Sequence, residues 1–406
     1  MSRGRKVAAA LLALAIVGAT ACGDDDDDSA QTGSDQAASD GELSLDDPVS
    51  VIMLAETTGE SEAAVPFFDD GAKMAIDDLN EAGGVGGQDV EYERISTPVE
   101  GAEAESAFLE AAEEEPTAIL GLPSSGQVLA AAQRVGEAQI PTLYEATAAQ
   151  AFVGAPDSVA NDYGFIIRPP QFELSGGLVR FASENLGIDK VGIVCVNNPF
   201  GEAGCGTAED TADELGVDIV AKETVEQDTT DFSSTVVELK DAGAEAVLSY
   251  IFPNAVAALH NAMGENDLDV PQVTSSASLI AGTGAITSGN LENLYGVEDC
   301  IPAADDDPEV QDWAGRFQEQ YDYAPNYGVA ESYDAVMLVA KAVEAAGSTD
   351  ADAVRDALAD IEYDGICTTY RGEPSQGLNH QLQAVSFNAD AQPAIEDTYE
   401  LDDYEF

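Results

Sequence analysis

The order of apolar runs predicts an α/β protein built as two doubly wound parallel-sheet lobes that follow one another along the chain. Three observations lead there. Short apolar runs of strand length alternate with stretches whose apolar residues recur at helical spacing, the alternation that builds a parallel sheet. A long polar loop between Tyr144 and Phe165 interrupts the rhythm, which then restarts as a second set of similar size. The length of 406 residues, with 45% of them apolar, holds two or three domains at roughly 100–200 residues each.

Lobe 1, expected over 48–167, opens with a buried-type strand at 51–54. Ala72, Ala75, Ile76 and Leu79 then share one helical face, and Gly83 supplies the stop. A strand at 90–95, a helix at 102–112, a strand at 118–122, a helix at 127–138 and a strand at 141–144 continue the series, and 165–167 reads as a further strand. Lobe 2, expected over 168–302, repeats the scheme with helices at 172–186, 207–215, 232–242 and 255–263 and strands at 191–196, 218–221, 246–250 and 271–273. No short sequence repeat accompanies the repeated architecture, which excludes a solenoid.

The N-terminus carries an address. Arg3, Arg5 and Lys6 precede an apolar run at 7–17, which Gly18, Ala19, Thr20, Ala21 and Cys22 close. This is the pattern of a secretory signal peptide at 1–21, since the apolar core falls well short of the ~20 residues that span a bilayer. The ending resembles a bacterial lipobox, with Ala19 where Leu is commoner. Cys22 is then the lipidated N-terminus of the mature chain, anchored on the outer face of the cytoplasmic membrane, at the cell surface or in the periplasm. Residues 22–47, which include the acidic run from Asp24 to Asp28, read as a disordered acidic tether. That run lacks the alternating ligands and glycine turn of a calcium loop.

Charge excludes whole classes of partner. Against 78 acidic residues the chain has 15 Lys and Arg, a net charge of −63. No basic face for nucleic acid or an anionic membrane surface can be assembled from so few cations. An acidic surface of this kind is what salt-rich surroundings tolerate through screening. Gly84, Gly86 and Gly87 resemble part of a dinucleotide fingerprint, but their loop leaves a helix and opens a strand, the wrong order for that site. His260 and His380 are the only histidines, and Cys195, Cys205, Cys300 and Cys367 lack metal-ligand spacing. No metal or cofactor is therefore expected. In an exported protein these four cysteines read as disulfides, with three pairings open. Cys195 with Cys205, which closes a strand-to-helix loop, and Cys300 with Cys367 is the favoured one.

Ligands of doubly wound sheets sit beyond the carboxyl ends of the strands, so the loops there are the candidate site. Pro123-Ser124-Ser125-Gly126 follows one strand and opens a helix, with Ser125 read as its N-cap and free N–H groups around Gly126 able to hold a carboxylate. Tyr144-Glu145-Ala146-Thr147 follows the next strand and adds a hydroxyl, while Glu56 stands in the first loop.

Together with Gly71-Ala72-Lys73-Met74-Ala75-Ile76, Asn80-Glu81-Ala82-Gly83-Gly84-Val85-Gly86-Gly87, Asp231-Phe232-Ser233-Ser234 and Ser332-Tyr333-Asp334-Ala335-Val336, these phrases resemble the type I periplasmic binding proteins. The similarity covers roughly 48–390 and is specific to the branched-chain amino acid receptors of ABC transporters. It implies a three-crossover hinge near 168–170, 300–303 and just before Cys367, with lobe 1 completed by about 303–360 and lobe 2 by about 361–406. It implies a small-molecule ligand trapped between the lobes, and permease and ATPase subunits of a membrane importer as partners. By the same resemblance Ser125, beside Ser124, holds the ligand carboxylate, Thr147 belongs to the same subsite, and Phe200 is the aromatic residue of lobe 2. Phe252 and Ser275 are the further candidates there.

Two departures bear on specificity. Thr274-Ser275-Ser276 stands where amino acid receptors place a carboxylate for the ligand ammonium, and Glu145 stands where a small residue is usual. The ligand is therefore expected to be an amino acid or an amino-acid-like, amide or urea-like small molecule. A ligand-sensing module of the same fold is the alternative, disfavoured because no transmembrane or signalling segment follows lobe 2 in these 406 residues. A hydrolase built on Glu56 and Glu145 is the weakest reading, since accidental acid pairs abound in this composition.

Overall fold

The computed structural model describes residues 43–56, 65–97, 101–402 and 404. The signal peptide, Cys22 and most of the tether lie outside them, as do residues 57–64 of the first loop. Lobe 1 contains β1 (Ser50–Glu56), α1 (Val65–Glu81), β2 (Glu91–Thr97), α2 (Gly101–Glu113), β3 (Ala118–Gly121), α3 (Ser125–Ala138), β4 (Thr142–Tyr144) and β5 (Gly164–Ile166). Its five strands pair in parallel in the order β2-β1-β3-β4-β5. Every residue of β3 and β4 is buried, as befits central strands covered on both faces.

Lobe 2 follows with α4 (Gln171–Arg180), which runs on through a π-helical turn at Phe181–Asn185, then β6 (Lys190–Val196), α5 (Pro199–Leu215), β7 (Asp218–Val225), α6 (Ser233–Ala242), β8 (Ala246–Tyr250), α7 (Pro253–Glu265), β9 (Gln272–Thr274), α8 (Ala277–Ala281) and β10 (Leu294–Glu298). Helix α5 begins at Pro199 rather than near 207. The signals are local: Asn198 accepts a hydrogen bond from Gly201 N at 2.9 Å, and proline occupies the first turn.

After β10 the chain returns to lobe 1 as α9 (Pro308–Tyr321), α10 (Tyr327–Ala346) and α11 (Ala351–Ala359). Helix α10 packs on α1 so closely that a Cβ at Gly71 would stand 2.1 Å from the Val329 carbonyl oxygen. A hairpin of β11 (Glu362–Asp364) and β12 (Thr369–Arg371) follows, and finally β13 (Gln381–Phe387) and β14 (Pro393–Glu400). These last two strands extend the sheet of lobe 2, β13 antiparallel to β10 and β14 antiparallel to β13, giving β14-β13-β10-β9-β8-β6-β7.

The chain thus passes between lobes three times. The third passage lies further on than expected. Past Cys367, Gly377 still bridges Ile166 at the edge of the lobe 1 sheet, so the crossing falls between Leu378 and β13. The disulfides are Cys195–Cys205, which ties β6 to α5, and Cys300–Cys367, which ties the second crossover to the β11–β12 turn.

Candidate functional site

Counted from its own first strand, each lobe has the order 2-1-3-4-5, so β1/β3 and β6/β8 are the switch points where such sheets bind ligands. The loops beyond β3 and β4 in lobe 1 and beyond β6, β8 and β9 in lobe 2 meet around a cavity of about 60 Å³. That volume suits a small solute or a few waters, one water needing roughly 10–15 Å³ by this measure.

On the lobe 1 wall, Ser124 rather than Ser125 caps α3. Its hydroxyl accepts from Gln127 N at 3.4 Å, and the Gln127 side-chain oxygen accepts from Ser124 N at 3.2 Å. This reciprocal box occupies Ser124 with the helix. The Ser125 hydroxyl is left to donate to Gln171 Oε1 at 3.3 Å, reaching the first turn of α4 across the first crossover. Ser125 and Gly126 also present first-turn N–H groups that have no intrahelical acceptor. Beside them Thr147 is buried, with its carbonyl accepting from Gln171 N at 2.8 Å and its hydroxyl paired with the Tyr250 phenol.

The lobe 2 wall is aromatic and hydroxylic. Phe200 stacks on Tyr250 with centroids 4.2 Å apart and on Phe252 at 5.3 Å, the planes inclined by 16° and 23°. Ser275 and Ser276 line the same cavity, and the buried Ser276 hydroxyl has no hydrogen-bond partner. Of the predicted residues, Ser124, Ser125, Thr147, Phe200, Phe252 and Ser275 are thus brought together at one cavity.

Glu145 and Ala146 are not at its wall. Ala146 is packed in the apolar core behind β4. Glu145 is fully buried, accepts from the Ser332 hydroxyl at 2.7 Å, and places its carbonyl oxygen 3.5 Å from Arg168 Nη1. Burial pushes its carboxyl up to about 7, with Ser332 and Arg168 pulling the other way. The Glu56–Glu145 pair has no geometry to report, because the Glu56 side chain lies outside the described set.

Arg168 is the residue that sequence reading misses as a cavity-lining group, placing it only as a crossover. It lines the cavity from the hinge, with Nε 2.6 Å from Asp299 Oδ2, Nη2 3.2 Å from Asp299 Oδ1 and Nε 3.4 Å from Glu331 Oε1. Its guanidinium also lies 4.7 Å from the centre of the Tyr327 ring. Asp299 directly follows β10 at the second crossover, so this planar fork joins two crossovers to α10. Burial raises the Glu331 carboxyl well above the usual range, against the pull of Arg168. A usable signal existed: a lone cation between the apolar end of a strand and Pro169-Pro170, in so acidic a chain. Among the described residues no group of three or more His, Cys, Asp or Glu is placed to hold a metal ion.

Two doubly wound lobes, three connecting strands of chain and a hydroxyl-lined cavity between them define a solute-binding protein of the two-lobed kind. The periplasmic binding protein family model matches residues 48–392, and the chain belongs to that family. The Leu/Ile/Val-binding protein homolog 8 of Brucella abortus is 29% identical over 192 residues, which are 45% of this chain and 47% of that one; the match spans about half the length of this relative. The branched-chain amino acid transporter substrate-binding protein LivJ of Streptococcus pneumoniae, solved with isoleucine, superposes with a TM-score of 0.76 at 21% identity, over 87% of this chain and 99% of that one. A solute-binding protein of an R. palustris ABC transporter, solved with benzoate, gives 0.79 at 14% identity over 88% and 99%. At such identities these two structures establish the shared fold.

Proposed function

We propose that the protein is the exported solute receptor of an ABC importer, which traps a small polar molecule between its lobes and delivers it to the permease and ATPase subunits in the membrane. The observation that carries this reading is the cavity at the carboxyl ends of both sheets, walled by hydroxyl and aromatic side chains from both lobes, with Arg168 of the hinge among the lining residues. Relatives solved with isoleucine and with benzoate support a small carboxylate-bearing cargo. Cys22 anchors the receptor to the outer face of the cytoplasmic membrane, and residues 23–47 let the lobes reach the permease. The ligand leaves chemically unchanged.

The test is a thermal-shift screen of the exported domain against amino acids, amides, polyamines and aromatic acids. A ligand at 100 times its dissociation constant adds about 2.7 kcal/mol of stability. Hits are then followed by solution scattering, in which closure reduces the radius of gyration. Identical scattering with and without saturating ligand would refute the trap. Cys22→Ser should release the protein from membranes or leave it unprocessed, and unchanged retention would remove the anchor.

A further inference from the structure

Among the described residues that line the cavity, Arg168 is the only one with a charged side chain. The nearby buried acids Asp299, hydrogen-bonded to Arg168, Glu145, hydrogen-bonded to Ser332, and Glu331, 3.4 Å from Arg168 with neither oxygen hydrogen-bonded, are not among the lining residues. An anion entering here meets the first-turn N–H groups of α3, and it would take over the Ser125 hydroxyl now donated to Gln171 at 3.3 Å and share the Arg168 guanidinium with Asp299. An ammonium meets only hydroxyls and carbonyl oxygens, which solvate but do not neutralise it, and an unpaired desolvated charge is strongly disfavoured.

A second observation is independent of that helix. Ser276, 5% exposed, carries a hydroxyl with no partner and lines the cavity from the opposite lobe. A buried hydroxyl left unpaired costs free energy that a ligand oxygen would recover. Between these polar ends the cavity is lined by four aromatic side chains, Phe68 and Tyr327 from one lobe and Phe200 and Phe252 from the other, and ring surfaces on both sides favour a planar body.

We infer that the cargo is a carboxylate with a planar apolar body and no ammonium group. The inference rests on the receptor reading above and narrows its substrate class. Matched pairs test it by calorimetry on the full exported chain: phenylacetate against L-phenylglycine, which differ by the ammonium alone, phenylacetate against phenylacetamide, and 4-methylpentanoate against L-leucine. Phenylacetate should bind at least tenfold tighter than L-phenylglycine, a difference of about 1.4 kcal/mol, and tighter than both the amide and 4-methylpentanoate. Ser276→Ala should weaken phenylacetate about fivefold or more, the weight of one hydrogen bond.

Each contrary result overturns a stated part. Tighter binding of L-leucine or L-phenylglycine than of their desamino partners, with compaction in scattering, would sink the substrate class while leaving the receptor standing. Equal affinity for the amide would remove the carboxylate, and preference for 4-methylpentanoate would remove the planar body. Unchanged phenylacetate affinity in Ser276→Ala would remove that residue's role. If no member of this set or of the wider screen binds or compacts the protein, substrate class and receptor reading fall together.

Discussion

Replacing Glu145 by Gln should make the protein more stable at neutral and alkaline pH, by an amount that vanishes in acid. The glutamine keeps the shape of the side chain and an oxygen for the Ser332 hydroxyl, now 2.7 Å away, and removes only the titration. Burial moves the carboxyl from its ordinary 4.5 up to about 7. The folded chain therefore holds this proton to higher pH than the unfolded chain, so stability falls as pH rises between these two values. Fully developed, the loss is roughly 3 kcal/mol at about 1.4 kcal/mol per pH unit. The assay is chemical denaturation of both proteins at pH 5 and pH 8 in at least 1 M salt. Salt is needed because a net charge of −63 also destabilises the fold as acids ionise, and at 1 M the screening length falls to about 3 Å while a buried group is barely screened. Glu298 and Asp334, also raised to about 7 by burial, titrate alike in both proteins and cancel in the difference. The variant should gain about 1–3 kcal/mol on wild type between pH 5 and pH 8. Parallel stability curves would show that Glu145 is solvated in solution and that its placement under the cavity is wrong.

Other substitutions separate roles that lie close in space. Ser124→Ala should cost roughly 0.5–2 kcal/mol of stability through the lost cap with ligand affinity nearly kept. Ser125→Ala should cost about 0.5–1.5 kcal/mol for its bond to Gln171 and at least tenfold in ligand affinity; equal binding by the two variants would undo the division of labour. Arg168→Met leaves Asp299 and Glu331 buried beside an apolar side chain, and a loss of roughly 3–5 kcal/mol in denaturant midpoints is expected. For the disulfides, Cys300 and Cys367 are 67 residues apart and Cys195 and Cys205 are 10 apart. Removal of the longer closure should therefore cost about 4 kcal/mol against about 3 for the shorter in the chain-entropy picture, and a reversed order in matched double-serine variants would count against it.

How much of this was legible before the structure follows from the range of each interaction. The parallel lobes are written in local periodicity, because a strand covered by helices on both faces must be almost wholly apolar, as 118–121 is and as 246–250 is apart from Ser249. Strand β14 is different: half-exposed along its length and paired only through β13, it shows no apolar run, and neither it nor the late third crossover could be read from pattern. At the site, the strand-end rule finds the right loops because it follows from topology alone. The cap is off by one residue although its signal is local: Ser124 and Gln127 stand at the spacing of a capping box, which outranks the neighbouring serine.

The charged groups show where such reading stops. Glu145 meets Ser332 across 187 residues of chain, and Arg168 meets Asp299 across 131. Neither pairing leaves any mark on the sequence around it. Both nevertheless shape the cavity: one keeps an acid off its wall, and the other holds a guanidinium that lines it. Because Arg168 and Asp299 come from different crossovers, their ion pair exists only when the hinge segments lie side by side, and the same guanidinium faces the cavity. A ligand carboxylate there would compete with Asp299 for one fork, which would couple binding to the set of the hinge through a single side chain.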